Sequence, residues 1–326
     1  MMTTVLIALA AGSASALMFA SIISGALISL VLFYLAPLPL MVAALGWGPL
    51  SATIGGICAA IGLGAIFGLP YCIAFALTVA LPAWWLGHLA LLGRPAAGSV
   101  AAGNGAAPPA PPPLEWYPIG RILLWAAGFA VLTTTAALLT LGSDAATITG
   151  ALRRGLLRIM GLRNSAPSAD AGNFVDAMVA IAPAAAAAVA MMTLTLNLWL
   201  AAKVTATSGR LHRPWPDLKS AALPPMTLAG LSLTLACSFA GGLFAMVGEI
   251  ASAALLTAYA LVGFAVLHTL TLSLKGRMLW LGGTYAAVLV AGWPVLAMVL
   301  LGLADAVFGF RQRYLQRKIP PPMAAP

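Results

Sequence analysis

The sequence predicts an all-α, polytopic helical membrane protein, and three observations predict it. No Asp, Glu, Lys or Arg occurs between Met1 and Gly93. Of the 326 residues, 62% are hydrophobic and 7% charged, against roughly 25% charged in an ordinary soluble domain. Glycine and proline recur inside the apolar stretches, as in ALGWGPLSATIGG from Ala44 to Gly56. In hydrocarbon an unpaired backbone group costs several kcal/mol, so an uncharged run of this length is nearly all helix, its glycines serving as turns or packing surfaces. Soluble and fibrous classes are excluded.

A span takes about 20 apolar residues, so a first membrane block, residues 1–93, holds about four, at 4–24, 26–45, 48–68 and 71–92. The opening MMTTVLIALAAGSASA has small residues at Ala14-Ser15-Ala16, like a secretory leader. It lacks a basic start, and its apolar run continues through Val31 and Leu32, so it reads as an uncleaved first span. Gly46-Trp47-Gly48-Pro49 reads as the turn into the third span, with proline in the first helical turn, where its missing N–H costs nothing. Residues 94–120 are mostly Ala, Gly and Pro, a composition that buries no core and predicts a disordered linker.

The second membrane block, residues 121–310, holds about six spans. The first is 121–141. An interfacial helix near 150–163 follows, where Leu152, Leu156, Ile159 and Met160 gather opposite Arg154 and Arg158, while Arg163 falls on the apolar side. A long span at 175–202 leads to a polar loop, 203–225, carrying Arg210, His212, Arg213, Asp217 and Lys219. Spans 226–247 and 251–274 read as a tight hairpin turning at Gly248-Glu249-Ile250. The last apolar stretch, 278–310, is too long for one helix and reads as two, turning at Gly292-Trp293-Pro294. The total is eight to ten transmembrane helices, ten by this count, and residues 311–326 form a basic, proline-rich tail.

A net charge of +9 in such a chain reports topology. No folded basic domain carries it, so nucleic acid is excluded as a partner and the lipid bilayer is the partner expected. With both termini cytoplasmic, ten Lys and Arg of segments 203–225, 275–277 and 311–318 lie inside, against Arg153, Arg154, Arg158 and Arg163 outside. The expectation is a multi-pass protein of a bacterial inner membrane.

Small residues recur every fourth position at Gly48, Ala52, Gly56, Ala60, Gly64 and Gly68, and again at Ala8, Gly12, Ala16, Ala20 and Ser24. Such ladders let helices approach backbone to backbone, so both are candidate packing or partner-docking faces. No zinc-protease, phosphate-loop or nucleophile-elbow motif is present. His88, His212 and His268 lack metal-ligand spacing, and Cys58, Cys72 and Cys237 read as buried small hydrophobes. No enzyme activity, cofactor or metal is expected. Polar groups in or beside spans are costly and therefore candidate ligand contacts: Glu249, the only acid between Asp217 and Asp305, with Tyr259 and Asn197. A solvated turn is the other account of Glu249, and interhelical hydrogen bonding that of Asn197 and His268. Asp305 with Arg311 and Arg313 reads as a helix-end charge pattern.

Pro183, Asn197 with Leu200-Ala-Ala-Lys203, Arg213-Pro-Trp-Pro-Asp-Leu218 before Leu223-Pro224, Leu261-Val-Gly-Phe-Ala-Val-Leu-His268, Leu301-Gly-Leu-Ala-Asp305 and Phe310-Arg-Gln-Arg313 together resemble the YybS-like family of bacterial membrane proteins. That family is distantly similar to the substrate-binding S-components of energy-coupling factor transporters. The resemblance implies an S-component-like helical bundle that binds a small solute near the outer face and docks to a transmembrane coupling subunit through Ala-x-x-x-Ala on the first helix, matched here by Ala16 and Ala20. The chain departs in having more than six spans and a proline-rich linker. Solute binding or transport is the first functional expectation, and a non-transporting scaffold or assembly factor the alternative.

Overall fold

The computed structural model describes residues 2–96, 114–161, 168–217 and 221–316. The centre of the expected linker, Arg163, Lys219 and most of the basic tail lie outside these residues.

The chain is an all-α polytopic bundle. Among the described residues seven helical segments are long and apolar enough to cross a membrane, and three shorter apolar helices stand where the other spans are expected. The first span is α1 (Met2–Ala20) with a short 3₁₀ turn, and the second is two collinear pieces, α2 (Leu27–Leu35) and α3 (Pro37–Trp47). Gly48, at φ +92°, makes the turn and Pro49 opens α4 (Pro49–Phe67) as its first helical residue. Gly68 turns the chain the same way into the fourth span, α5 (Leu69–Phe75), a π turn and α6 (Leu81–Leu91). The π turn has a cause in Pro82, which has no N–H to offer the preceding turn.

Two strands follow, β1 (Gly93–Pro95) and β2 (Leu114–Trp116), paired antiparallel. They correct the expected linker, whose ends are a hairpin clasped by Arg94 on Glu115 at 2.9 Å and by the Tyr117 amide on the Leu92 carbonyl. Then come α7 (Ile119–Leu139), α8 (Ala145–Ile159), α9 (Ala169–Thr207), α10 (Met226–Cys237), α11 (Gly242–Leu270), α12 (Arg277–Ala291), α13 (Val295–Phe308) and α14 (Phe310–Gln316). The expected turn at Gly292-Trp293-Pro294 separates α12 from α13.

Helix α8 starts earlier than the arginine pattern suggested, because Asp144 caps it. Its carboxylate accepts the Thr147 amide at 2.9 Å and the Thr147 hydroxyl at 2.5 Å, and these bonds hold its pKa below the ordinary aspartate value. Ile148 is buried with Leu138, Ala187 and Ile250, while Ile159 at the far end is exposed.

The hairpin before α11 is a correction. Gly248 and Glu249 lie inside α11, and the turn falls at Gly241-Gly242, both at positive φ. Gly248 is needed for closure: a Cβ there would stand 2.7 Å from the Ser238 amide nitrogen and 2.8 Å from the Thr234 carbonyl oxygen of the α10 end. Ser252 donates to Thr234 across the same contact.

Contacts divide the chain into two units, Met1–Ala126 with Thr193–Pro216 and Ala127–Met192 with Asp217–Pro326, so the division falls within α7 and α9. In the first unit the core is Leu40, Met41, Phe75 and Leu86, with Phe19 edge-on to Phe75 at 5.4 Å. In the second, α11 packs along α13 around Ala258, Tyr259 and Val266. The second unit also encloses an ion pair: Arg311 donates from Nε to Asp305 at 2.7 Å and from a terminal nitrogen to the Ala221 carbonyl, and the same carboxylate accepts the Arg311 amide. A pattern read as a helix-end charge array is therefore a buried link from α13 to α14, with both side chains less than 10% exposed.

Candidate functional site

The closest helix contacts in each unit are made by glycine. In the first, a Cβ on Gly12 of α1 would strike the Gly55 carbonyl of α4, and one on Gly55 would strike the Ala8 carbonyl. Across the same bundle Gly87 meets Ala44, Gly56 faces the Ala80 methyl of the π turn, and Gly64 faces Cys72. In the second unit Gly263 lies on the Met298 carbonyl and Gly302 on the Tyr259 carbonyl. In these seams backbone touches backbone at Gly12, Gly55, Gly263 and Gly302, and at Gly56, Gly64 and Gly87 the facing atom is a Cβ of a small residue.

The sequence ladders only partly coincide with the seams. Ala52, Gly56 and Ala60 are buried on α4, and Gly64 is half-buried. Gly48 and Gly68 are helix-end turn residues and form no part of the face, which corrects their place in the ladder. On α1 the buried stripe is Ala8, Gly12, Ser15 and Phe19, while Ala16 and Ala20 are half-buried at its side and Ser24 is exposed. Cys58 is exposed on α4, contrary to its reading as a buried residue, whereas Cys72 and Cys237 are half-buried.

The three candidate ligand residues fall in two units, and the two that share one, Glu249 and Tyr259, do not meet. Asn197 of α9 belongs to the first unit and is 1% exposed. Its amide nitrogen donates to the Tyr34 carbonyl and to the Thr193 carbonyl, both at 2.8 Å, and its oxygen has no partner among the described residues. Glu249 and Tyr259 lie on α11 of the second unit, where ten residues separate them by about 15 Å along the axis. Glu249 is exposed, and its placement inside a helix removes its reading as a turn residue. Tyr259 is 1% exposed, and its hydroxyl has no partner among the described residues. His268 meets the Tyr285 hydroxyl of α12 at 2.9 Å, an interhelical bond. Among the described residues no three His, Cys, Asp or Glu side chains are placed to hold a metal ion.

One arrangement was not singled out from sequence. After α9, residues 208–216 run past the ends of α3 and α6, and two cations there, with Lys203 in the last turns of α9, lie over tryptophan rings. Lys203 stands 4.1 Å from the Trp215 ring centre, Arg210 stands 4.7 Å from Trp47 at the end of α3, and Arg213 stands 5.9 Å from Trp116 of the hairpin. Arg213 also donates to the Ala90 carbonyl at 3.2 Å, and partial burial lowers its pKa from the ordinary arginine value. The available signal was the interleaving of basic residues and tryptophan, but the rings come from 47, 116 and 215, far apart in the chain.

No protein-family model, no curated protein and no solved structure matches the chain.

Proposed function

We propose that this integral membrane protein is a non-transporting scaffold or assembly factor that holds a partner membrane protein against α1. The observation that carries the proposal is the use of glycine within each unit: helices meet backbone to backbone at Gly12 and Gly55, at Gly263 and at Gly302, and in the second unit Glu249 and Tyr259 stand about 15 Å apart along α11 instead of around one recess. A bundle locked in this way suits a static docking body. Ala16 and Ala20, half-open beside the stripe that α4 covers, offer the small-residue face on which such a partner would pack. The reading assigns no catalytic role. It places the chain in a bacterial inner membrane with both termini cytoplasmic.

Solute binding in the manner of an S-component is the second reading. The resemblance to the YybS-like family favours it, as does the fully buried Tyr259 hydroxyl without a partner among the described residues, a group that a bound polar solute would satisfy.

The experiment is a comparison of two variants in mild detergent. Replacing Ala16 and Ala20 together by leucine leaves the Gly12–Gly55 seam untouched, so the scaffold reading expects an unchanged melting temperature and loss of the copurifying membrane protein. It also expects no vitamin, metal or metabolite in a broad panel to stabilise the wild type. Stabilisation by a solute that is lost in Tyr259→Phe and kept in the alanine-to-leucine variant overturns the scaffold in favour of the S-component-like role.

A further inference from the structure

We propose that the charged end of the first unit is a binding site for the headgroup of an anionic phospholipid, held by Arg210 and Arg213 with Lys203 beside them. The unit contains five cations, Arg94, Arg121, Lys203, Arg210 and Arg213, and a single acid, Glu115. Arg94 takes that acid at 2.9 Å, Asp217 follows just past the unit's last residue, and among the described residues neither acid pairs with Arg121, Lys203, Arg210 or Arg213. All of them lie in or beside the hairpin, the start of α7 and the segment after α9. The opposite turns of the unit, around residues 21–26 and at Gly68, carry no charged residue.

A basic side chain whose only task is to reach water from a span end extends freely into solvent. These three do not. Lys203, Arg210 and Arg213 are each laid on a tryptophan ring, and Arg213 is further fixed by the Ala90 carbonyl. Tryptophan is the residue that settles at headgroup depth in a bilayer, so rings at 47, 116 and 215 set the cations at that depth and hold their charged ends in place. Neither the ring faces nor the Ala90 carbonyl neutralises them. The anion that is always present at that depth is the phosphodiester of an anionic lipid, and the fork of a guanidinium matches its paired oxygens. A free phosphate carries at least as much charge but has nothing to keep it at the membrane surface, so the site is assigned to the lipid.

The full-length protein in a neutral detergent, titrated with phosphatidylglycerol or phosphatidylcholine at equal mole fraction, tests the assignment by thermal unfolding and by native mass spectrometry of bound lipid. Phosphatidylglycerol is expected to raise the melting temperature and to bind in discrete stoichiometry, and phosphatidylcholine is not. Each cation removed near the surface weakens binding about fivefold, so Arg210→Gln and Lys203→Gln each lose about that factor and Arg210→Gln with Arg213→Gln about thirtyfold. Because Arg213 also bonds the α6 end, the quantity read is the increment produced by lipid in each variant and not its basal stability. Arg154→Gln with Arg158→Gln, on α8 of the other unit, keeps the full increment. Equal effects of the two lipids, an undiminished increment in both Arg210→Gln and the double variant, an equal loss in the α8 variant, or full stabilisation by inorganic phosphate alone each overturn the proposal.

Discussion

Ser15 and Asn197 brace the same break from two sides. Pro37 and Pro39 bring no N–H to the carbonyls of Phe33 and Leu35, and the helix breaks at Ala36 between α2 and α3. In water the backbone around such a break would bond to solvent. In hydrocarbon it is held by protein donors. The Ser15 hydroxyl donates to the Ala36 carbonyl at 2.5 Å, and the Asn197 amide to the Tyr34 carbonyl at 2.8 Å. Ser15→Ala and Asn197→Ala should therefore each lower stability by about 0.5 to 1.5 kcal/mol, read as detergent unfolding midpoints. Asn197→Asp, which keeps the shape but removes the donor and puts a carboxyl group in the core, should cost more than the alanine change. If Asn197→Asp matches wild type, the asparagine is not supporting the break. Sequence made Asn197 conspicuous, as a polar residue inside a span, and made the prolines conspicuous as well. It did not join them, because Tyr34 and Asn197 are 163 residues apart and only folding brings them together.

At the scale of the element, the ladders misled for a geometrical reason. Residues four apart are displaced by about 40° around a helix of 3.6 residues per turn, so the six positions from 48 to 68 sweep about 200° and share no single face. The stripe on α1 steps by threes and fours, Ala8, Gly12, Ser15, Phe19, while that on α4 is two adjacent rows of fours short enough to stay on one side, Ser51, Gly55, Ala59, Leu63 and Ala52, Gly56, Ala60. Gly55, unremarked in the ladder, is thus one of the tightest points of the seam. Glu249 misled differently: a charge beside Gly248 looked like a turn, while the Gly241-Gly242 pair, a stronger turn signal, marked the true one. The seams make the glycines unequal. Gly55→Ala, Gly263→Ala and Gly302→Ala each drive a methyl into a backbone carbonyl and should cost about 1 to 3 kcal/mol. A methyl on Gly62 or Gly230 would meet nothing within 4 Å, and alanine there should be neutral or slightly stabilising. Gly56→Leu and Gly64→Leu, facing Ala80 and Cys72, should destabilise as well. Equal melting temperatures across all of these variants would show that the seams do not hold the bundle together.

At the scale of the molecule, the alternation of spans can be checked against where their ends meet. Consecutive crossings reverse direction, so the ends of the second, fourth and sixth spans and the start of the fifth must share one side. In the first unit they do: Trp47 closes α3, Ala90 closes α6, the hairpin precedes α7, and the segment after α9 touches all three through Arg210 and Arg213. In the second unit Arg153 of α8 pairs with Asp176 near the start of α9 at 2.7 Å. By the excess of Lys and Arg expected on the cytoplasmic side, the end carrying Lys203, Arg210 and Arg213 is expected to face the cytoplasm. Reporter fusions after Gly105 and after Lys318 should therefore read as cytoplasmic and one after Ser168 as external. If Ser168 reads cytoplasmic while Gly105 does too, α7 does not cross the membrane, and the count of spans falls with it. If all three readings invert together, the crossings stand and the basic end faces outward, against the rule that the charge distribution was taken to obey.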